Sequence, residues 1–266
     1  MTDRAADART GPSAARTDRF WFEYPNADLP FYDGRPVALS GRGWLSVLLA
    51  VALGFASLLV PVPALHRGLG ALVPAVLFFA IPLVALAVVA RGAWTTLFRK
   101  VSPRDVFWMF AFALLNILVT MLVGLLVQRF LGANANPLFA VLPALSEADR
   151  LLFLVAMIPQ LLGEEILTIL PFLAMVTLLY ARVGLPRRWA MIAAWFGSAA
   201  LFGAVHLPTY GWNLAQCLLI IGGARLVLTL PYVMTKNIWV STGAHIINDW
   251  MLLGGAMLLT GLAQRV

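Results

Sequence analysis

Two adjacent glutamates, Glu164 and Glu165, lie in the middle of an apolar stretch that runs from Leu151 to Tyr180. A charged side chain at the centre of a bilayer costs about 2.5–3.5 kcal/mol on insertion scales. A chain that only had to cross a membrane would avoid such a pair. We therefore interpret the pair as functional, since a carboxylate in a dry cavity can act as a general base and take a proton from water.

Two of the three histidines also fall at apolar positions. His206 ends an apolar run. His245 lies inside the last apolar segment and, on a helix, shares one face with Asp249 four residues later, with Asn248 beside it. Asn248 or Asp249 can orient the imidazole by accepting a hydrogen bond from one ring nitrogen. The third histidine, His66, lies in a short loop, where we expect a solvated side chain.

These residue types are the ones that activate water. Glu164 can serve as a general base, with Glu165 and the two histidines around it. Alternatively, Glu164, His206 and His245 can hold a divalent metal such as Zn²⁺ with one open coordination position. The residues alone leave both choices open, so the expected cofactor is either none or a single metal ion of this kind.

The composition indicates which elements must position these groups. The 266-residue chain is 61% hydrophobic and 12% charged, whereas a soluble domain carries about 25% charged residues. Apolar runs of about twenty residues recur, each long enough to cross a bilayer as a helix. The expected fold is all-α, a polytopic transmembrane helix bundle of about seven to eight spans. We predict spans at 44–60, 71–90, 105–131, 149–180, 189–206, 212–230 and 238–262, and an eighth if the fourth stretch breaks at Pro159 and Gly163.

The polar N-terminal part is predicted to be a separate region. Residues 1–43 are expected to form a cytosolic tail, disordered over the first nineteen residues, and residues 44–266 to form the membrane domain. Aromatic side chains at 20–22 and 31–32 are expected to anchor the tail at the level of the lipid headgroups.

Basic residues are distributed unevenly among the connections between spans. The connections at 91–104 and 181–188 contain four and three, and those on the opposite side contain only Arg67. This asymmetry predicts that the N-terminus and the basic connections face the cytosol. The net charge of +7 then reflects orientation. We expect a lipid bilayer and a membrane-associated peptide or protein as partners, no nucleic acid, and, from the preference for Arg over Lys, a bacterial plasma membrane.

Three motifs resemble those of the CPBP family of intramembrane proteases. They are the Glu164-Glu165 pair, the motif Phe202-x-x-x-His206, and a third motif in which Asp249 lies four residues after a histidine, in this order on successive spans. The family groups the type II CAAX prenyl endopeptidases with bacteriocin-processing and Abi proteins. The resemblance covers about residues 147–262.

The resemblance implies a function and a set of roles. It implies a helical membrane fold with a cavity in the plane of the bilayer, where water hydrolyses a peptide bond. Glu164 would be the general base and Glu165 would support the site. His206 and His245 would hold water or metal and stabilise the oxyanion. The site would be completed by Asn248 or Asp249.

The chain departs from the family pattern at one position. The first family motif usually reads Glu-Glu-x-x-x-Arg, and Ile169 occupies the place of the arginine. Arg225, inside the sixth span, either replaces that cation from another helix or extends toward the interface. Depth raises a second question. From helical rise, Glu165 and His206 lie about 22 and 26 Å below the cytosolic ends of their helices, but His245 only about 10 Å.

Two other functions remain open from the sequence. The missing arginine favours a catalytically impaired scaffold or immunity protein that binds membrane partners. The same ionisable groups could also form the relay of a proton-coupled transporter, although no internal repeat of the kind found in many transporters is evident.

Overall fold

The computed structural model describes residues 18–65, 68–142 and 145–263, with side chains up to residue 255. Within these residues the chain is helical without strands, and each predicted span corresponds to a helix. The predictions for residues 1–17, His66 and Arg67 lie outside the described residues. The helices are α1 (Gly41–Ser57), α2 (Leu72–Val89), α3 (Pro103–Phe130), α4 (Glu147–Thr177), α5 (Arg187–Val205), α6 (Leu214–Thr235) and α7 (Ile238–Ala263).

The helices have the length and composition of a membrane bundle. Among the described residues, five are long and apolar enough to cross a membrane, and α1 is apolar but has only 17 residues. The candidate spans include the adjoining 3₁₀ and π turns and are Gly68–Val89, Pro103–Phe130, Glu147–Arg182, Arg187–Val205 and Leu214–Thr235. The helical membrane fold is thus confirmed.

Helix α4 is continuous, so the predicted break and the eighth span are wrong. It runs through Pro159 and Pro171 and continues as a π-helical turn, Leu178–Arg182. Breaking the helix would leave backbone groups unpaired in an apolar environment. Gly163 has a different role, because a Cβ atom there would lie 2.4 Å from the Phe78 ring. It lets α2 approach α4 directly beside the glutamate pair.

Helix α4 is the centre of the bundle. It packs against α1, α2, α5 and α7, and α3 packs against α6 and α7 on the other side. Helix α6 contains a π-helical turn, Cys217–Ile221. Gly203 of α5 faces this turn, and a Cβ atom there would lie 2.4 Å from the Cys217 carbonyl oxygen. The close contact fixes how α6 presents its next turn to α4.

The N-terminal segment from residue 18 to residue 40 is part of the packed structure, which corrects its interpretation as a tail. Phe31 and Tyr32 are buried in the main hydrophobic core rather than placed as anchors, and the Phe31 ring packs against Trp44. Trp21, by contrast, is 94% exposed. The backbone N–H of Tyr24 donates to the carbonyl of Met234 at 2.9 Å. The segment therefore covers the α6–α7 turn.

Four charged side chains, which we call the N-terminal ion cluster, hold this segment in place: Glu23, Asp28, Arg187 and Lys236. Arg187 donates to both carboxylate oxygens of Glu23, at 2.8 and 2.5 Å, and to Asp28 at 2.8 Å. Lys236 donates to Glu23 at 2.6 Å and also to the Val233 carbonyl. Each carboxylate has a cationic partner, which compensates for the desolvation of the group.

The titration of this cluster reflects burial and pairing. Burial alone would raise the pKa of Glu23, but the hydrogen bonds from Arg187 and the charge of Lys236 outweigh it and hold the pKa below its usual value. Burial lowers the pKa of Lys236 to about 8, despite the attraction of Glu23. The sequence did not indicate this cluster, because its members lie up to about 210 positions apart.

Candidate active site

Glu165 and Arg225 form a buried ion pair at the centre of the bundle. The two guanidinium nitrogens of Arg225 donate to the two carboxylate oxygens of Glu165 at 2.6 and 2.8 Å, and neither side chain has exposed surface. The Nε atom of Arg225 donates to Thr229 at 3.2 Å. Of the two alternatives left open for Arg225, the structure supports replacement of the motif cation over extension toward the interface. The cation that Ile169 does not supply arrives from α6.

His245 joins this pair from α7. Its Nδ1 atom lies 2.9 Å from the nearer carboxylate oxygen of Glu165. Its Nε2 atom lies 3.8 Å from Glu164 and 3.8 Å from Asp249. The depth difference expected from helical rise is therefore absent. The reason is that the α6–α7 turn, with Lys236 and Asn237 buried, lies inside the protein beneath the N-terminal segment.

The two adjacent glutamates differ in environment. Consecutive residues on a helix point about 100° apart, and here only one of the two faces inward completely. The Glu165 side chain has no exposed surface, whereas that of Glu164 is 16% exposed. Glu164 accepts a hydrogen bond from Gln160 at 3.3 Å and has no cation as close as Arg225 is to Glu165. Of the two glutamates, Glu164 is therefore the one whose carboxylate has exposed surface.

His206 lies at the C-terminal end of α5. Its Nδ1 atom is 2.8 Å from the Phe202 carbonyl, and since a carbonyl only accepts, this nitrogen donates and Nε2 stays free. The Phe202 ring lies between the charged groups. Its centroid is 4.7 Å from the His206 ring, 6.5 Å from the His245 ring and 5.2 Å from Cζ of Arg225. The aromatic residue of the second motif thus links the histidines to the guanidinium.

The remaining predicted residues are joined to α3. Asn248 donates to Asp249 at 2.8 Å, and Asn116 of α3 donates to Asn248 at 2.9 Å. Asn116 is buried. Sequence reasoning missed Asn116 and Gln160, although an amide inside an apolar span is a signal of a polar partner on another helix. The structure therefore brings Glu164, Glu165, His245, Asn248 and Asp249 together, with His206 joined to them through Phe202.

The same geometry bears on whether the site can hold a metal ion. Within the residues that the structure describes, no group of three His, Cys, Asp or Glu side chains is placed so that it could hold a metal. His245 has one nitrogen on Glu165, and His206 faces the cluster across the Phe202 ring. The described geometry does not bring Glu164, His206 and His245 together as one set of ligands, and this set stays a prediction for a metal site.

Comparison with protein families supports this interpretation. The family model described as type II CAAX prenyl endopeptidase Rce1-like matches residues 146–251. We refer to this segment as the Rce1-like domain because it is similar to that family. The resemblance to CPBP proteases is thereby confirmed, and the match supports a membrane-embedded protease that is integral to the membrane. Neither the curated proteins nor the solved structures contain a match to the chain.

The Rce1-like domain contains the glutamate pair, both site histidines, Arg225 and Asp249. Two of the groups that form hydrogen bonds with this domain lie outside the matched residues. One is Asn116 of α3, and the other is the N-terminal segment.

Proposed function

We propose that this protein is an intramembrane endopeptidase in which Glu164 activates the attacking water. One observation carries the proposal. Both carboxylate oxygens of Glu165 are occupied by Arg225 and His245, which leaves the partly exposed Glu164 as the carboxylate free to meet water. Two chemically identical neighbours thus have different roles because their surroundings differ.

The proposed reaction uses this division of roles. Water donates a proton to Glu164 and its oxygen attacks the scissile carbonyl carbon, which forms a tetrahedral intermediate. Glu164 then returns the proton to the amine nitrogen, and the carbon–nitrogen bond breaks. The substrate is a peptide or protein in or at the membrane, and the products are a carboxylate and an amine.

The histidines orient the reactants. The free Nε2 atom of His206 is available to hold the water, or, when the ring is protonated, to stabilise the oxyanion. His245 is fixed by its hydrogen bond to Glu165 and faces Glu164 and Asp249 with its other nitrogen. Asp249 completes the site as the group that orients this nitrogen. We also propose that the basic end of the bundle faces the cytosol, in keeping with the positive-inside rule.

Arg225 bears on the alternative of an impaired scaffold. That alternative depended on the missing motif cation, and Arg225 supplies a guanidinium to Glu165 from α6. The ion pair favours a functional protease over a scaffold.

The test is a cleavage assay on purified protein in detergent, with a peptide library and mass-spectrometric detection. We expect Glu164→Gln, His206→Ala and His245→Ala each to reduce cleavage by about 10²–10⁴ without loss of folding. Glu147→Gln, an exposed acid at the start of the same helix, is the matched control. Wild-type activity in all three site variants would show that these residues are structural.

A chelator arm addresses the cofactor. Cleavage that survives chelation, in protein without stoichiometric metal, supports a carboxylate base acting alone. Cleavage that is lost on chelation and restored by Zn²⁺ would instead assign Glu164, His206 and His245 to a metal.

A further inference from the structure

A polar cavity lies at the basic end of the bundle, separate from the candidate active site. It has a volume of about 380 Å³ and lies between the N-terminal segment, the start of α3 and the α6–α7 turn. Three cationic side chains line it: Arg99, Lys100 and Arg104. The opposite wall is formed by residues 24–27, and Thr235 and Asn237 close one side.

The three cations have no carboxylate partner of their own. Among the described residues, every ion pair within 4.0 Å uses a cation other than these three. Asp105 also lines the cavity, but its carboxylate accepts from the Ser102 backbone and hydroxyl and from the Tyr24 hydroxyl. With three cations and one carboxylate around it, the cavity has an excess of positive charge, which a bound anion would offset.

Two of the cations are held in position by their surroundings. The Nε atom of Arg99 donates to the Lys236 carbonyl at 3.1 Å. The guanidinium of Arg104 lies over the Tyr24 ring, with Cζ 5.0 Å from the centroid. An anion that entered the cavity would meet guanidinium groups already oriented, which reduces the entropy cost of binding.

We propose that this cavity binds a phosphate group, either in the headgroup of an anionic phospholipid or as free phosphate. It lies at the ends of two candidate membrane spans, Pro103–Phe130 and Leu214–Thr235, where headgroups are located. Basic pockets between helices at this depth suit such headgroups, and guanidinium groups match phosphate oxygens. A bound phosphate would connect the N-terminal segment to the α6–α7 turn. The site is independent of the proposed peptide cleavage.

The test measures lipid binding to the full chain. Purified protein in detergent is titrated with phosphatidylglycerol, phosphatidylcholine or inorganic phosphate, and retained lipid and Tm are recorded by native mass spectrometry and thermal scanning. We expect phosphatidylglycerol, but not phosphatidylcholine, to raise Tm by about 2–4 °C. Lys100→Gln combined with Arg104→Gln should abolish this shift.

The matched control removes the same charge at the same end of the bundle. Arg91→Gln combined with Arg182→Gln replaces two exposed cations outside the cavity and should leave the shift unchanged. A shift with inorganic phosphate alone, lost in the cavity variant, assigns the site to free phosphate. The proposal is overturned if both double variants respond to every ligand as the wild type does.

Discussion

Two buried clusters of charged side chains, both within the described part of the chain, differ in charge balance. The N-terminal ion cluster has two carboxylates and two cations, and hydrogen bonds connect them directly. The cluster in the candidate active site has three carboxylates around one guanidinium and the His245 ring. The first cluster holds three parts of the chain together. The second leaves two carboxylates, those of Glu164 and Asp249, with no positively charged group closer than the His245 ring at 3.8 Å.

This difference separates a structural from a chemical use of buried charge. A buried carboxylate with all its oxygens bonded to cations has little remaining capacity to accept a proton from a new partner. A carboxylate without its own cation can still accept a proton. Its burial destabilises the protein, and other interactions in the fold must offset this effect. The five predictions below test one cluster or the other.

The largest effect is expected for Arg225→Leu, which leaves Glu165 as an unpaired buried charge. We expect a loss of stability of about 3–5 kcal/mol and a decrease in kcat of at least about 100-fold, because Glu165 no longer fixes His245. Thermal scanning and the cleavage assay measure the two effects. Arg182→Leu, an exposed cation beyond the end of α4, is the control.

A second substitution shows whether the position of the cation or its charge matters. Ile169 is buried one turn after Glu165 on α4, so Ile169→Arg combined with Arg225→Leu returns a cation to the place that the family motif uses. We expect partial recovery of both stability and cleavage. Full activity in Arg225→Leu alone would show that the ion pair is unnecessary for the reaction.

The next effect concerns the N-terminal ion cluster. Lys236→Met removes one of two cations from Glu23, which keeps Arg187, so we expect a smaller loss of about 1–3 kcal/mol and an unchanged kcat in the folded fraction. The double variant with Glu23→Gln should lose less than the sum of the single variants, since the two residues are in contact. Arg91→Met, an exposed cation outside both the cluster and the cavity, is the control for stability. A fall in kcat for folded Lys236→Met would contradict the separation of roles.

A smaller effect is expected for Asn116→Leu, which removes the donor to Asn248. Asp249 would then be less well oriented, and we expect kcat to fall by about five- to tenfold with KM unchanged. The control is Thr120→Val, one turn further along α3, whose hydroxyl has no hydrogen-bond partner within the described part of the chain. An effect of Asn116→Leu that adds fully to that of Asn248→Leu would exclude action through Asn248.

The smallest effect is a pH dependence of protein stability that arises from the N-terminal ion cluster. In the folded protein Arg187 holds the pKa of Asp28 below its usual value despite burial, and the pKa of Glu23 is lowered similarly. The unfolded chain therefore binds more protons in acid, so these groups stabilise the fold above about pH 4.5 and lose that contribution as the pH falls. Thermal scans from pH 6 to pH 3.5 should show a smaller decrease in Tm for Glu23→Gln than for the wild type.

Helix positions and most of the site could be predicted from the sequence. Apolar runs fix where helices cross, and a charged group inside such a run needs a partner. For Arg225 the sequence left open whether that partner is the glutamate pair or the membrane interface. The prediction of a break near Gly163 was wrong because Pro159 and Gly163 were considered only as local helix breakers. In the structure the Phe78 ring of α2 occupies the space that a side chain at Gly163 would need.

The N-terminal segment could not be predicted for a related reason. Its acidic and aromatic residues look like those of a solvated tail when they are considered alone. Their partners, Arg187 and Lys236, are distant in sequence and were themselves interpreted as loop residues. Asn116 was missed because a single amide indicates that a partner exists but does not identify it.

The contact between Glu23 and Lys236 crosses the boundary of the segment that matches the family model. The matched segment, residues 146–251, is the part that family comparison recognises. In the intact chain its Lys236 and Arg187 are neutralised by the N-terminal segment, and its Asn248 is bonded from α3. Without the N-terminal segment and α3, the matched segment would lose the partners of Arg187, Lys236 and Asn248. The segment that family comparison recognises is therefore smaller than the set of residues that pairs its buried polar groups.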